Sequence, residues 1–123
     1  MSKKFAIIAA ALMAATPALA QNATCIEPAP LTAVVDGSNA TPQQLRAARD
    51  QVAAFMSQSD IYQECIASDL EAKRKAAAAQ NTPFDTQLEQ VARAKIAANQ
   101  AAKDQAAKEF NSQVALYRQR QAR

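Results

Sequence analysis

Residues 41–65, TPQQLRAARDQVAAFMSQSDIYQEC, decide the fold. Thr41, Pro42 and Gln44 form a helix start. The Thr hydroxyl caps free N–H groups of the first turn. Pro is tolerated at the first helical position because its missing donor would be unpaired there, and Gln three residues after the cap reaches back to complete a capping box. No Gly or Pro interrupts the chain before Pro83, so the first helix is expected over 42–79. At about 100° per residue, Leu45, Ala48, Val52, Phe55, Tyr62, Ile66 and Leu70 share one wide apolar stripe, the face for a partner helix. Cys65 lies roughly 100° off that stripe, above Ile61, Ala54 and Ala47. This narrow strip is expected to receive the segment that carries Cys25.

The chain upstream has the length for that. From Cys65 back to Pro42 is a helical path of about 35 Å, while Cys25 to Thr41 spans up to about 50 Å in polyproline-like form. A turn at Asp36-Gly37-Ser38 absorbs the excess. Pro28 and Pro30 favour extended geometry over 21–40, and Ile26, Leu31, Val34 and Val35 are the apolar residues available to dock. The arm is expected to lie antiparallel on the first helix, pinned by a Cys25–Cys65 bond. Two cysteines also admit a pair of free thiols, and the start of the chain argues for the bond.

That start, residues 1–20, has the pattern of a secretory signal. Lys3 and Lys4 form a basic start, residues 5–15 an apolar run too short to span a bilayer, and Ala18-Leu19-Ala20 a small-residue cleavage site before Gln21. A lipoprotein signal would need a cysteine directly after the cleavage box, whereas Cys25 follows Asn22-Ala23-Thr24. The expectation is a periplasmic or secreted protein with no stable membrane anchor after cleavage, in a compartment where disulfides persist. Asn22-Ala23-Thr24 matches a glycosylation sequon that bacterial-type export leaves unused. Without Lys3 and Lys4, 12 basic and 11 acidic residues remain. That balance, with basic clusters only at Lys73-Arg74-Lys75 and at Arg118, Arg120 and Arg123, argues against a nucleic-acid binder. A solvated helix face and a helix C-terminus that favours cations account for both clusters.

Cys25, Pro28, Pro30, Ala40-Thr41 and Asp60-x-Tyr62-x-x-Cys65-Ile66 together resemble a group of small uncharacterised secreted proteins from proteobacteria. These share a Cys, a Pro-rich arm, an Ala-Thr helix start and a Tyr-x-x-Cys pattern. The resemblance covers 25–66. It implies export and the disulfide, and it carries no activity and no functional residue.

Thr82-Pro83-Phe84-Asp85 repeats the start signal, so a second helix is expected over 83–121, rich in Ala, Gln, Lys, Glu and Arg. Its large apolar residues are Phe84, Leu88, Val91, Ile96, Phe110, Val114 and Tyr117, with Ala98, Ala102 and Ala106 between. Two helices of similar length joined by residues 80–82 make an antiparallel hairpin; one helix kinked at Pro83 would leave both stripes wet. Facing residue numbers should sum to roughly 165, pairing Phe55 with Phe110, Val52 with Val114 and Ile66 with Ala98, and placing Leu70 near Ile96. The fold class is therefore all-α: a coiled-coil-like two-helix hairpin with an arm disulfide-bonded to its first helix. Such a fold buries its stripes incompletely and needs a staple or a partner. The arm is expected to cover the first helix only, leaving the C-terminal third of the second loose or assembled into a four-helix bundle.

The composition also excludes chemistry. No His is present, which removes the commonest general base and metal ligand and every Ser-His or Cys-His system. One Gly, Gly37, gives no phosphate-cradling loop. Two cysteines 40 residues apart are neither a redox Cys-x-x-Cys nor a zinc knuckle. The Asp60–Glu64 and Asp69–Glu71 pairs would need a concave, partly dry site to do acid–base work. They read instead as solvated groups or partners of nearby bases, and Tyr62 as a packing ring. No enzyme, cofactor or metal site is expected. Cys25 and Cys65 are the only singled-out site residues. The expected function is a structural or interaction module that binds another envelope protein or itself, the alternative being a periplasmic holdase-type chaperone. Membrane-surface binding by the second helix is disfavoured, because Lys95, Lys103 and Lys108 are interleaved with Asp104 and Glu109.

Overall fold

The structure is a computed structural model and describes residues 24–32 and 35–123. The expected leader, the sequon residue Asn22 and Val34 lie outside the described residues. Two helices, α1 (Pro42–Ala79) and α2 (Thr86–Gln121), pack as an antiparallel pair, and no strand occurs among the described residues.

α1 begins as its sequence dictates. The Gln44 N–H donates to Thr41 Oγ1 (3.1 Å), and the Thr41 N–H donates to Gln44 Oε1 (2.8 Å). Its stripe faces inward: Ala48, Phe55, Tyr62 and Ile66 are buried, and Leu45, Val52 and Leu70 partly so.

α1 ends at Ala79, as expected, but the way it closes was not legible. Asn81 takes a left-handed conformation (φ 52°), the Asn81 N–H bonds Ala78 O (3.2 Å), and the Thr82 N–H bonds Ala77 O (3.0 Å). This paired closure satisfies orphan carbonyls with Asn in the place Gly usually takes. The Thr82 hydroxyl is drawn into the same closure, donating to Ala77 O (3.2 Å). Thr82 is therefore not the cap of α2, as its sequence suggests. The cap is Asp85, whose Oδ1 accepts from the Gln87 N–H (2.9 Å), and the second helix starts at Thr86 rather than 83. Phe84 falls in the connector, under the Arg74 guanidinium (5.1 Å).

The register also differs from expectation. Gln63 meets Asn99 and Gln100, Asp60 meets Lys103, and Arg74 meets Glu89, all slightly short of the expected pairing. Because the chain doubles back over the last turn of α1 before α2 begins, α1 overhangs α2 at the connector. Ile66 then packs with Ala92 and Ile96 rather than Ala98, in one cluster with Tyr62, Leu70 and Cys25. Phe55 lies beside Ala102 and Ala106, while Phe110 lies beside Leu45.

The inward positions of α2 follow a three-four spacing through Glu89, Ala92, Ile96, Asn99, Lys103, Ala106, Phe110, Gln113, Tyr117 and Arg120, the coiled-coil seam. Leu88 and Val91, expected to pack, are 38% and 53% exposed. At mid-height the seam is polar. Ser59 is fully buried and Asn99 3% exposed; the Asn99 amide donates to Ser59 Oγ (3.2 Å), and Gln63 donates to Asn99 Oδ1 (2.8 Å). No buried side-chain polar atom lacks a partner among the described residues. Lys103 buries its stem and reaches Asp60.

The arm runs antiparallel to α1, as expected, but not along Ile61, Ala54 and Ala47. It lies in the groove between the helices, with Pro28 and Leu31 partly buried beside Phe55, Asn99, Ala102 and Ala106. Ile26 does not dock; it is 83% exposed, and Ile61 stays 65% exposed. The reason is steric: α2 is lined there by Ala98, Ala102 and Ala106, so backbone can approach both helices at once. α2 is thus covered after all.

The turn at residues 36–39 clasps its C-terminal third. The Asn39 and Ala40 N–H groups donate to Asp36 O, and the Gly37 N–H donates to Gln113 Oε1 (2.8 Å). A Cβ on Gly37 would lie 1.9 Å from the Gln113 carbonyl oxygen, a backbone atom that cannot swing aside. The one glycine of the chain is there for close approach. Gly37→Ala should lift the turn and cost about 2 kcal/mol; in urea denaturation it should melt well below a Ser38→Ala control, and equal midpoints would refute the contact.

Candidate functional site

Three features of the hairpin surface bear on function: the bond that fixes the arm, the clasp at the open end, and the groove left uncovered. Cys25 and Cys65 are disulfide-bonded, with Cα atoms 5.6 Å apart, and no free cysteine is present among the described residues. Cys65 comes from mid-α1 and Cys25 from the arm, so the bond ties the upper end of the arm to the helix pair.

The lower end is held without covalent help. Arg120 Nη1 donates to Ser38 O (2.9 Å) and Nη2 to Ala40 O (2.6 Å), while the guanidinium stacks on Tyr117 (5.2 Å). Asp36 completes the clasp. The Asn39 amide and the Ser38 N–H bond its carboxylate, and with Arg120 nearby they hold its pKa below the ordinary carboxylate value. One of the three tail arginines is therefore structural, where the sequence suggested only a solvated end.

Several of the other charges form ion pairs at the surface. Lys73 bonds Asp69 (2.7 Å), and Arg74 bridges the helices to Glu89 (2.7 Å). Arg93 and then Arg74 keep the Glu89 carboxyl below its usual range. Asp60 is engaged by Lys103, and no group of three or more Cys, His, Asp or Glu gathers for a metal among the described residues. Tyr62 is 5% exposed and packs in the cluster; burial pushes its phenol upward, away from any role as a base near neutrality.

On the flank of the seam away from the arm, near the open end, a cleft of about 470 Å³ remains. At 100° per residue its lining residues sit on the opposite side of each helix from the arm contacts. Its floor is Leu45, Phe110, Val114 and Tyr117, and its rim is Arg46, Arg49 and Arg118. Arg49 pairs with Asp50 (2.8 Å), both largely exposed. Arg46 and Arg118 have no ion pair among the described residues, and no carboxylate lines the cleft. No local pattern pointed to this site, because three arginines spread over two helices read as ordinary surface charge.

No family model, curated protein or solved structure matches the chain. The hairpin is a stapled rod with one groove occupied by its own arm and the other apolar at its base and cationic at its edge.

Proposed function

We propose that this chain is a small, non-catalytic protein-interaction module of the bacterial envelope, exported, cleaved after Ala20 and working in its oxidised form. The observation that carries the reading is the apolar cleft beside Phe110 and Tyr117, left uncovered by the described residues, on a hairpin whose other groove carries a tethered arm. A disulfide-stapled rod presents such a cleft on rigid elements, which lowers the ordering cost of association. Export is supported by the basic, apolar and small-residue pattern of residues 1–20 and by a disulfide that an oxidising compartment would preserve. Among the described residues no helix is long and apolar enough to cross a membrane. Membership of the small secreted proteobacterial group belongs to the same reading.

The test is affinity capture from envelope extract with the oxidised, tagged protein. One dominant, saturable partner is expected. Many loosely held clients, together with suppression of aggregation of an unfolded test protein at near-equimolar ratio, would replace the module by a holdase.

A further inference from the structure

We propose that the cleft at the open end takes a short acidic helix of a partner protein, inserting apolar side chains between Leu45, Phe110, Val114 and Tyr117 while its carboxylates meet Arg46 and Arg118. This rests on the interaction reading above and names the chemistry of the partner.

Charge singles out the occupant. Arg46, Arg49 and Arg118 rim the cleft with no carboxylate among its lining residues, and among the described residues only Arg49 of the three has an ion pair, to Asp50 outside the cleft. An apolar segment alone would leave Arg46 and Arg118 unmatched, and a basic one would be repelled. Helix ends do not decide the sign of the field. α1 begins at the cleft with Pro42 and has no acid in its first turn, but the negative end of α2 lies beside it, so the positive excess there is that of the arginines. α2 ends at the same place with Arg118 and Arg120 in its last turn, and Arg120 is turned to the arm's carbonyls. That leaves Arg118 for an outside anion.

Shape favours a helix. The floor runs from Phe110 to Tyr117, about 10 Å or two helical turns, in the trough between two packed helices, where a third completes a local three-helix layer by the helix-in-groove mode. The arm occupies the matching trough on the other flank as an extended chain, and it can do so because Ala102 and Ala106 are small there. Phe110, Val114 and Tyr117 give the open trough a floor of larger apolar side chains, with a cleft volume of about 470 Å³.

The probe is a capped, helix-forming peptide with Leu at i, i+3, i+4 and i+7 and Glu elsewhere, titrated into the oxidised full chain and read by amide shifts. Shifts should cluster at Leu45, Phe110, Val114 and Tyr117, and affinity should fall about tenfold from low to physiological salt. Arg46→Glu/Arg118→Glu should lose at least about tenfold while its melting temperature holds, since both side chains are exposed. A Lys version of the peptide should not bind.

Absence of shifts at millimolar peptide, or equal binding of the Lys version, overturns the proposal. So does binding of phosphatidylglycerol vesicles in place of the peptide, or the same shifts on concentrating the protein alone; these outcomes assign the cleft to a lipid surface or to a second copy. A captured envelope partner that still binds the double charge-reversal variant leaves the interaction module standing and sinks this inference alone.

Discussion

Replacing both Cys25 and Cys65 by Ser, or reducing their bond, lowers the melting temperature by roughly 20 °C. The bond closes a loop of 40 residues, and on chain-entropy grounds its removal frees the unfolded ensemble by about 4 kcal/mol. Little else compensates. Between the cysteines and the clasp, the described part of the arm rests on three partly buried side chains, Pro28, Leu31 and Val35, and each contributes less than the fully buried value of about 1.5–3 kcal/mol. Helical content in the cold should survive, because α1 and α2 are rich in strong helix formers, so the loss appears in the melt and not in the starting spectrum. Circular dichroism of oxidised and reduced protein decides it. Transitions within a few degrees of each other would mean that the Gly37 and Arg120 contacts alone hold the arm.

Asn99→Leu should cost about 2 kcal/mol although it adds apolar surface to a helix seam. The substitution strips the Ser59 hydroxyl of its partner at a position with no solvent access, and it leaves Gln63 without the acceptor it holds at 2.8 Å. An unpaired buried polar group bears its full desolvation penalty, whereas removing both partners can be neutral or better. Ser59→Ala/Asn99→Leu should therefore melt at or above the parent protein. It should also lose uniqueness, because a polar layer at one height of a coiled-coil seam fixes register and number of strands. Sedimentation of the double variant should give monomer and dimer together, where the parent gives one species. A single sharp species would assign the polar layer to stability alone.

How much of this was written in the chain depends on the kind of signal. α1 was legible because its cap, its first-position Pro and its large apolar residues agree. The start of α2 was misread because Thr82-Pro83 copies the start of α1. What overrides the copy is Asn81, whose left-handed turn uses Thr82 to finish the preceding helix, and Asn announces such a turn far more weakly than Gly would. The direction and pinning of the arm followed from chain length and the two cysteines. Its groove did not, since that choice depends on the small residues of α2 lying opposite Phe55, a tertiary fact. Ser59 and Asn99 escaped notice for the same reason: a search for apolar stripes passes over the polar positions through which the heptad spacing runs. The cleft had no local signature, because its floor and rim come from residues some 65 positions apart that meet only once the hairpin closes.

Occupying one trough from within also bears on valency. A bare pair of antiparallel rods offers two comparable flanks, and a body that can be gripped on both sides can be chained into open-ended stacks. Here the tethered segment has taken part of one of those places, so among the described residues the two flanks are no longer equivalent. Stacking of identical copies through both flanks should therefore be disfavoured.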